Sequence, residues 1–490
     1  MNYNKLFGQD HSFDALLGYE AQKYESRSIR ARAEGYPNAT LRTLANAANP
    51  MVATSSGTSY AFASMFSRFS YNYAGKYYAT ASFRRDGSSR FGQNSRWGNF
   101  WSLGTSWRVT QEDFMKDIKW INNLKLRVSY GITGNASIGN FDAVALYGFG
   151  NDYDGIAGSA PSNIGNPYLT WEGQSTLDIG IDLFVFDRVS ATVNYFHRKN
   201  NDLLLDRPLS ETTGFNGNLQ NVGDMLNRGF EIEANAQIVK SADFNWDLGF
   251  NITLMKNEVT RLDEPIIDGA QNHTEGRDYY EFYMWHWAGV NPANGQAQWY
   301  KDETMTTITE KVKDAVPFFT GKSALPSAYG GVNTNLSYKG FSLSAQIVFV
   351  WDKWVYNNQS KGIESDGARA PRSTNLYAFE NRWTTPGQEA LVPKFVWGNS
   401  SKSNQTNSTR YLYDATYIRL RDLTLAYTFN KSITEKLDIS SLRVFVQANN
   451  YFTWVRSKHY QYDPESDTNG IVNGTVPKTK SITLGVNVGF

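Results

Sequence analysis

Apolar and polar residues alternate strictly along this chain, in one stretch after another. In SITLGVNVGF (481–490), Ile482, Leu484, Val486, Val488 and Phe490 fall on one face, and Ser481, Thr483, Gly485, Asn487 and Gly489 on the other. The same period of two runs through Trp246, Leu248, Phe250, Ile252 and Leu254; through Phe230, Ile232, Ala234, Ala236 and Ile238; and through Leu177, Ile179, Ile181 and Leu183. It recurs in Leu124, Leu126, Val128 and Tyr130, and in Phe341, Leu343, Ala345, Ile347, Phe349 and Trp351. A period of two is a strand with unlike faces. A soluble sandwich would also alternate, but its strands average about five or six residues. These stretches reach about ten, the length a tilted strand needs to cross a bilayer. Their apolar faces end in aromatic residues (Trp101, Trp107, Tyr195, Trp351, Phe429, Trp454, Phe490), as girdles at the two membrane surfaces would. No run of about 18 apolar residues is present, so no helix spans a membrane. The fold class this predicts is all-β, a transmembrane antiparallel barrel.

The connections agree. Short turns near Ala74-Gly75, Asp187, Ser241-Ala242 and Lys339-Gly340, with links at 110–120 and 430–440, alternate with long polar stretches at 25–58, 133–170, 200–226, 258–326, 355–413 and 455–478. Outer-membrane barrels have short periplasmic turns and long extracellular loops. Strands are predicted at 1–7, 12–24, 60–73, 76–87, 96–109, 121–132, 171–186, 188–199, 227–240, 243–257, 327–338, 341–354, 414–429, 441–454 and 479–490, with two more open inside 278–302. Either count is odd, and an odd antiparallel set cannot close on itself. Residues 1–490 therefore read as the C-terminal portion of a larger barrel. The opening MNYNKLFGQDHSF lacks the basic and apolar regions of a signal peptide. In YIRLRDLTLAYTF, Ile418 and Leu420 have one parity, and Leu423, Leu425, Tyr427 and Phe429 the other. A β-bulge near Asp422 would reconcile them, as would an apolar lumen position near the rim.

Composition narrows the chemistry. With 48 Lys plus Arg against 47 Asp plus Glu, no basic excess exists to hold nucleic acid. Absence of cysteine removes disulfides, zinc–thiolate sites and thiol nucleophiles. The histidines (His11, His197, His273, His286, His459) are dispersed without metal-ligand spacing, and no GxSxG, Walker A or GxGxxG occurs. Glu465-x-Asp467-x-Asn469-Gly470 imitates the start of a calcium loop, but Val476 stands where a bidentate Glu is needed. Neither a catalytic set, a cofactor nor a metal centre is expected. The polar faces carry Lys125, Arg127, Asp178, Asp182, Glu231, Glu233, Asp247, Arg419, Arg421 and Arg443, read as a lining of ion pairs and hydrogen bonds. Loop aromatics are the candidate ligand contacts: Tyr153, Tyr168, Trp171, Tyr377, Trp383 and Tyr462, with Tyr147 and Trp397 beside them. The alternative for each is loop packing.

Several segments resemble the SusC/RagA family of TonB-linked (TonB-dependent) outer-membrane proteins of Bacteroidetes. They are RRDGSSRFG (84–92), LKLRVSYGITGN (124–135), NPYLTWE (166–172), NVGDMLNRGFEIEANA (221–236), YIRLRDLTLAYTF (417–429), RVFVQANNYFTW (443–454), YDPE (462–465) and the terminal SITLGVNVGF. The resemblance implies the later part of a barrel of about 22 strands. It further implies an N-terminal plug, a TonB box and a signal peptide, none of them in these residues. A SusD-like surface lipoprotein would be the partner. Energy would come from TonB–ExbB–ExbD through the plug. The implied function is active import of a large nutrient, an oligosaccharide (glycan) or a peptide, across the Gram-negative outer membrane, without covalent chemistry. The rival readings are a surface glycan-binding or adhesion β-protein without transport, and a barrel hydrolase. Phe490 ending an alternating strand resembles the assembly signal of such barrels; otherwise it fills an aromatic girdle.

Overall fold

A computed structural model describes residues 1–40, 43–369, 373–399, 403 and 406–490. Fifteen strands form a single sheet in which each pairs with its neighbours in sequence. They are β1 (Asn2–Phe7), β2 (His11–Glu34), β3 (Asn49–Tyr73), β4 (Tyr77–Ser88), β5 (Trp97–Arg108), β6 (Ile121–Asn135), β7 (Glu172–Val185) and β8 (Val189–Asn201). The rest are β9 (Asp224–Lys240), β10 (Phe244–Arg261), β11 (Ala328–Tyr338), β12 (Phe341–Trp351), β13 (Tyr417–Thr428), β14 (Ser441–Val455) and β15 (Ser481–Gly489). This is the up-and-down antiparallel wall that the alternation predicts.

The apolar stripes face outward. Ile482, Leu484, Val486 and Val488 are 60%, 80%, 61% and 43% exposed. In water such a surface would be a large unburied patch. Against lipid it is the proper face. On the inner face several rings lie flat over glycine. The Phe66 ring stands 2.2 Å from where a Cβ of its cross-strand partner Gly18 would be, and Phe445 stands 2.3 Å from that of Gly485.

One expectation needs correction, and one point left open by the sequence is decided. The stretch 25–58 is not mainly loop. β2 and β3 pair from His11↔Tyr73 to Glu34↔Asn49, leaving only 35–48 between them. The 24 residues of β2 would span about 80 Å, far beyond a hydrocarbon core of about 30 Å. The outer part of this hairpin is exposed on both faces, so no apolar stripe is called for, and period-two reasoning cannot see it. Residues 278–302 add no strand to the wall. Glu281–Met284, Trp287–Val290 and Ala297–Tyr300 belong to small separate sheets. The parity switch in β13 is a bulge. Gln346 pairs with Asp422 and Ile347 with Leu420, so Arg421 is the extra residue. On the other side Leu420↔Phe452 is followed by Asp422↔Asn449, with Asn450 at φ 52°.

Two compact units are distinguishable. One comprises Met1–Trp107, Arg127–Leu177 and Arg198–Asp224; the other comprises Arg108–Leu126, Asp178–His197 and Met225–Phe490.

Candidate functional site

In the first unit the long connections are pinned by several of the family-resembling segments quoted above. Leu169 is fully buried with Phe91 and Ala143, and Trp171 packs against them. Gly92 lies so close to Pro167 that a Cβ would sit 1.8 Å from its carbonyl oxygen. The Asn221 side chain brackets the same segment: Thr170 N–H donates to its Oδ1 and its Nδ2 donates to the Thr170 carbonyl, both at 2.9 Å. Arg90 lies 4.4 Å from the Tyr60 ring centroid and donates to Asn140 Oδ1 at 2.8 Å. RRDGSSRFG, NPYLTWE and NVGD are thus staples that hold a loop platform.

The second unit builds a larger platform from three connections. Ile266–Asp268, Gln271–His273, Glu281–Met284 and Phe318–Ser323 form a four-stranded sheet. Trp354–Asn357 pairs antiparallel with Leu412–Asp414 and parallel with Ile471–Val472, which joins the second connection to the third. Phe282, Met284, Tyr356 and Tyr411, each 0–1% exposed, make the core. Beside it lies a buried cation. Arg410 donates to both carboxylate oxygens of Asp366, at 2.6 and 2.9 Å, and Ser403 Oγ donates to the same group. Arg410 also reaches Glu364 at 3.4 Å, whose carboxyl burial pushes above its usual range despite that charge.

A second ion cluster ties the last connection to the wall. Arg419, 2% exposed, donates to Glu465 Oε2 at 2.8 Å, to Asp463 Oδ1 and to Thr453 Oγ1 at 3.1 Å. The bulged Arg421 donates to Glu465 Oε1 at 2.8 Å, and Lys353 Nζ to the Ser466 carbonyl at 3.0 Å. Burial pulls Lys353 below its ordinary value, opposed by Glu465 and Asp467. Burial alone would raise Asp463, but the Glu465 and Lys478 amides and Arg419 outweigh it and hold the carboxyl low. The YDPE acids are therefore the counter-ions of the RLRD arginines. Glu465 is engaged there, and Asn469 Oδ1 accepts from Ile471 N–H, so this segment serves as a latch.

The candidate aromatics divide by surroundings. Tyr153 and Tyr168 are 85% and 80% exposed in the first unit, and Trp397 is 83% exposed in the second. Trp171 is spent on packing: its ring lies 5.0 Å from Phe91 and its Nε1 donates to the Arg96 carbonyl. Trp383 covers Gly295 and donates to the Pro292 carbonyl at 2.8 Å. Tyr377 is half-buried 5.8 Å from His459, and Tyr462 lies 6.1 Å from Tyr460. His273 and His286 stack on Tyr279 and Phe318 at 3.9 and 3.6 Å, as packing residues. Phe490 follows β15 and is 97% exposed. Sequence reasoning missed Arg410 with Glu364 and Asp366, and it missed Lys353. No local pattern announces partners some 40 residues away.

An antiparallel wall with lipid-facing apolar stripes and separately cored loop platforms defines an outer-membrane β-barrel protein. A profile described as "TonB dependent receptor-like, beta-barrel" matches residues 1–451, and the chain belongs to that family. It is 28% identical to TonB-dependent receptor P39 of Formosa agariphila, over all of this chain and 52% of that protein. It is 27% identical to TonB-dependent receptor SusC of Bacteroides thetaiotaomicron, over all of this chain and 49% of the relative. The structure of the RagAB peptide transporter superposes with a TM-score of 0.89 at 30% identity, covering 100% of this chain and 54% of that one. The chain spans about half the length of the relatives it matches. It is homologous to SusC-like receptors and, like them, an outer-membrane protein.

Proposed function

We propose that this chain forms the later barrel wall and outer loop platforms of a SusC-like importer of large nutrients, peptides or oligosaccharides. The observation that carries this is the likeness to the RagAB peptide transporter, sustained over the full chain. The division of labour in the molecule supports it. The wall meets lipid, and the connections build stiff platforms bearing exposed rings such as Tyr153, Tyr168 and Trp397. Rings offer contact area to sugars or peptide side chains at low entropic cost. Tyr377, Trp383, Tyr462 and Trp171 shape the platforms under them. The protein does no covalent chemistry. A SusD-like lipoprotein would close over the platforms, and TonB–ExbB–ExbD would act through a plug. The long connections face outward and the short turns face the periplasm.

The test is uptake in the native host. Cells deleted for the gene and complemented with the full-length protein should accumulate a labelled oligopeptide or a labelled oligosaccharide. Accumulation of neither, with the protein inserted, overturns import. Cysteines placed at the exposed Ser162 and Glu380 should both react with an impermeant thiol reagent on intact cells. Reaction of only one breaks the assigned sidedness.

A further inference from the structure

The outer wall of β3–β5 has a gap in its apolar surface. Two cross-strand rows run Phe13–Tyr71–Ala79–Thr105 and Ala15–Phe69–Ala81–Leu103. On β4 the outward positions 79 and 81 are alanine, between the large side chains of β3 and those of β5 and β6. The result is a trough of about 480 Å³, almost wholly apolar, with Phe69, Tyr71, Leu103 and Tyr130 as its walls. β3 and β5 stand two strand spacings apart, about 9–10 Å. Once their side chains are allowed for, that leaves the width of one hydrocarbon chain.

The trough has defined ends. Toward the short turns it meets a stacked aromatic row, Tyr73–Tyr77–Trp107, with ring centroids 6.3 and 6.5 Å apart. Away from them, the next outward pair beyond Ala81 and Leu103 is Phe83 and Trp101, which are cross-strand partners. From Tyr77 to Phe83 the strand advances about 20 Å, which at a tilt of about 40° is about 15 Å of depth, half a hydrocarbon core of about 30 Å. The length suits a tail from one leaflet. The rim is polar and carries cations. His11 Nδ1 lies 2.7 Å from Tyr71 Oη, Lys76 sits in the β3–β4 turn, and Lys5 Nζ lies 4.9 Å from the ring centroid of Phe7, the cross-strand partner of His11.

We propose that this trough is a binding site for one acyl tail of a glycerophospholipid, its phosphate at the Lys5–Lys76 rim. The groove is continuous with the lipid-facing wall, and the rim charge complements an anionic headgroup. A seated tail gains dispersion contacts on three sides that a tail on flat wall lacks. The choice of the inner leaflet, and so of phospholipid, rests on the sidedness proposed above.

The experiment uses the full-length protein in detergent, titrated with dioleoylphosphatidylglycerol and weighed by native mass spectrometry. One lipid should be retained after the rest are stripped. Ala79→Leu with Ala81→Leu fills the floor on a lipid-facing surface and leaves the inner face untouched. It should weaken that retention about tenfold. Lys76→Gln should weaken it less, and Ala345→Leu, on the outward face of β12, should leave it unchanged. Equal retention in the filled variant and the wild type overturns the site. So does a filled variant that loses a second copy of the chain while keeping its lipid. Preferential retention of lipid A over phosphatidylglycerol overturns the leaflet and ligand, while uptake by the complemented cells would stand.

Discussion

The wall and the loop platforms obey opposite rules of burial. On β15 the apolar Leu484 is 80% exposed, and in the second unit's platform Phe282 is fully buried. The wall's apolar residues have lipid as their solvent, so its stripes need no partner. The platforms stand in water and must bury their own cores, with a buried charge such as Arg410 paired to Asp366 and Glu364. The difference teaches that exposure alone does not rank residues here. A change at an exposed wall residue and one at a buried loop residue can both be costly, for different reasons, and with separate readouts.

The sharpest break should come at the latch. Arg419→Ala leaves Asp463 and part of Glu465 without their cation in a buried setting, a loss of about 3–5 kcal/mol. The 456–480 connection should become protease-sensitive while the wall keeps its resistance. Acid should do the same more gently. Asp463 is held below its unfolded value, so its contribution is complete at neutral pH and is lost as pH falls below about 4. Protection of this connection that is insensitive to both would refute the latch. Next, Phe282→Ala should cost about 3–5 kcal/mol. Hydrogen exchange should rise in 266–323 and not in β10 or β11. Leu484→Arg tests the wall. In water a substitution at so exposed a site would fall within about 0.5 kcal/mol of neutral. In a bilayer it should cost about 2–4 kcal/mol, read from unfolding in lipid vesicles. Deleting Phe490 is the smallest and the most discriminating. As a girdle ring it is worth about 1–3 kcal/mol of burial. As an assembly signal, its loss lowers the amount inserted and leaves the inserted fraction's unfolding temperature nearly unchanged. An unchanged amount with a lowered temperature rejects the signal.

The wall was legible because lipid on one side and a polar interior on the other force a period of two on every strand that crosses. The fifteen strands and the short turns follow from that constraint, while the parity switch near Asp422 left a bulge and an apolar lumen position equally open until the pairing showed Arg421 as the extra residue. Where it lapses, so does the reading. The outer half of β2 and β3 is exposed on both faces and looked like loop. The segments around Trp287 and Trp299 have strand composition but serve a platform. The site was less legible. Arg419 and the YDPE acids were each visible in the sequence, yet their pairing is a fact of tertiary structure. Trp171 and Trp383 stood out because they are rings in loops, and their hydrogen bonds to backbone carbonyls could not be read from the sequence.

The rings laid over glycine on the inner face show how one strand accommodates the bulk of its neighbour. Phe66 on Gly18 and Phe445 on Gly485 keep two large side chains close against the wall. A methyl group at either glycine would push its ring off the strand. Where each ring lies is therefore set by the absence of a single carbon atom on the strand beside it.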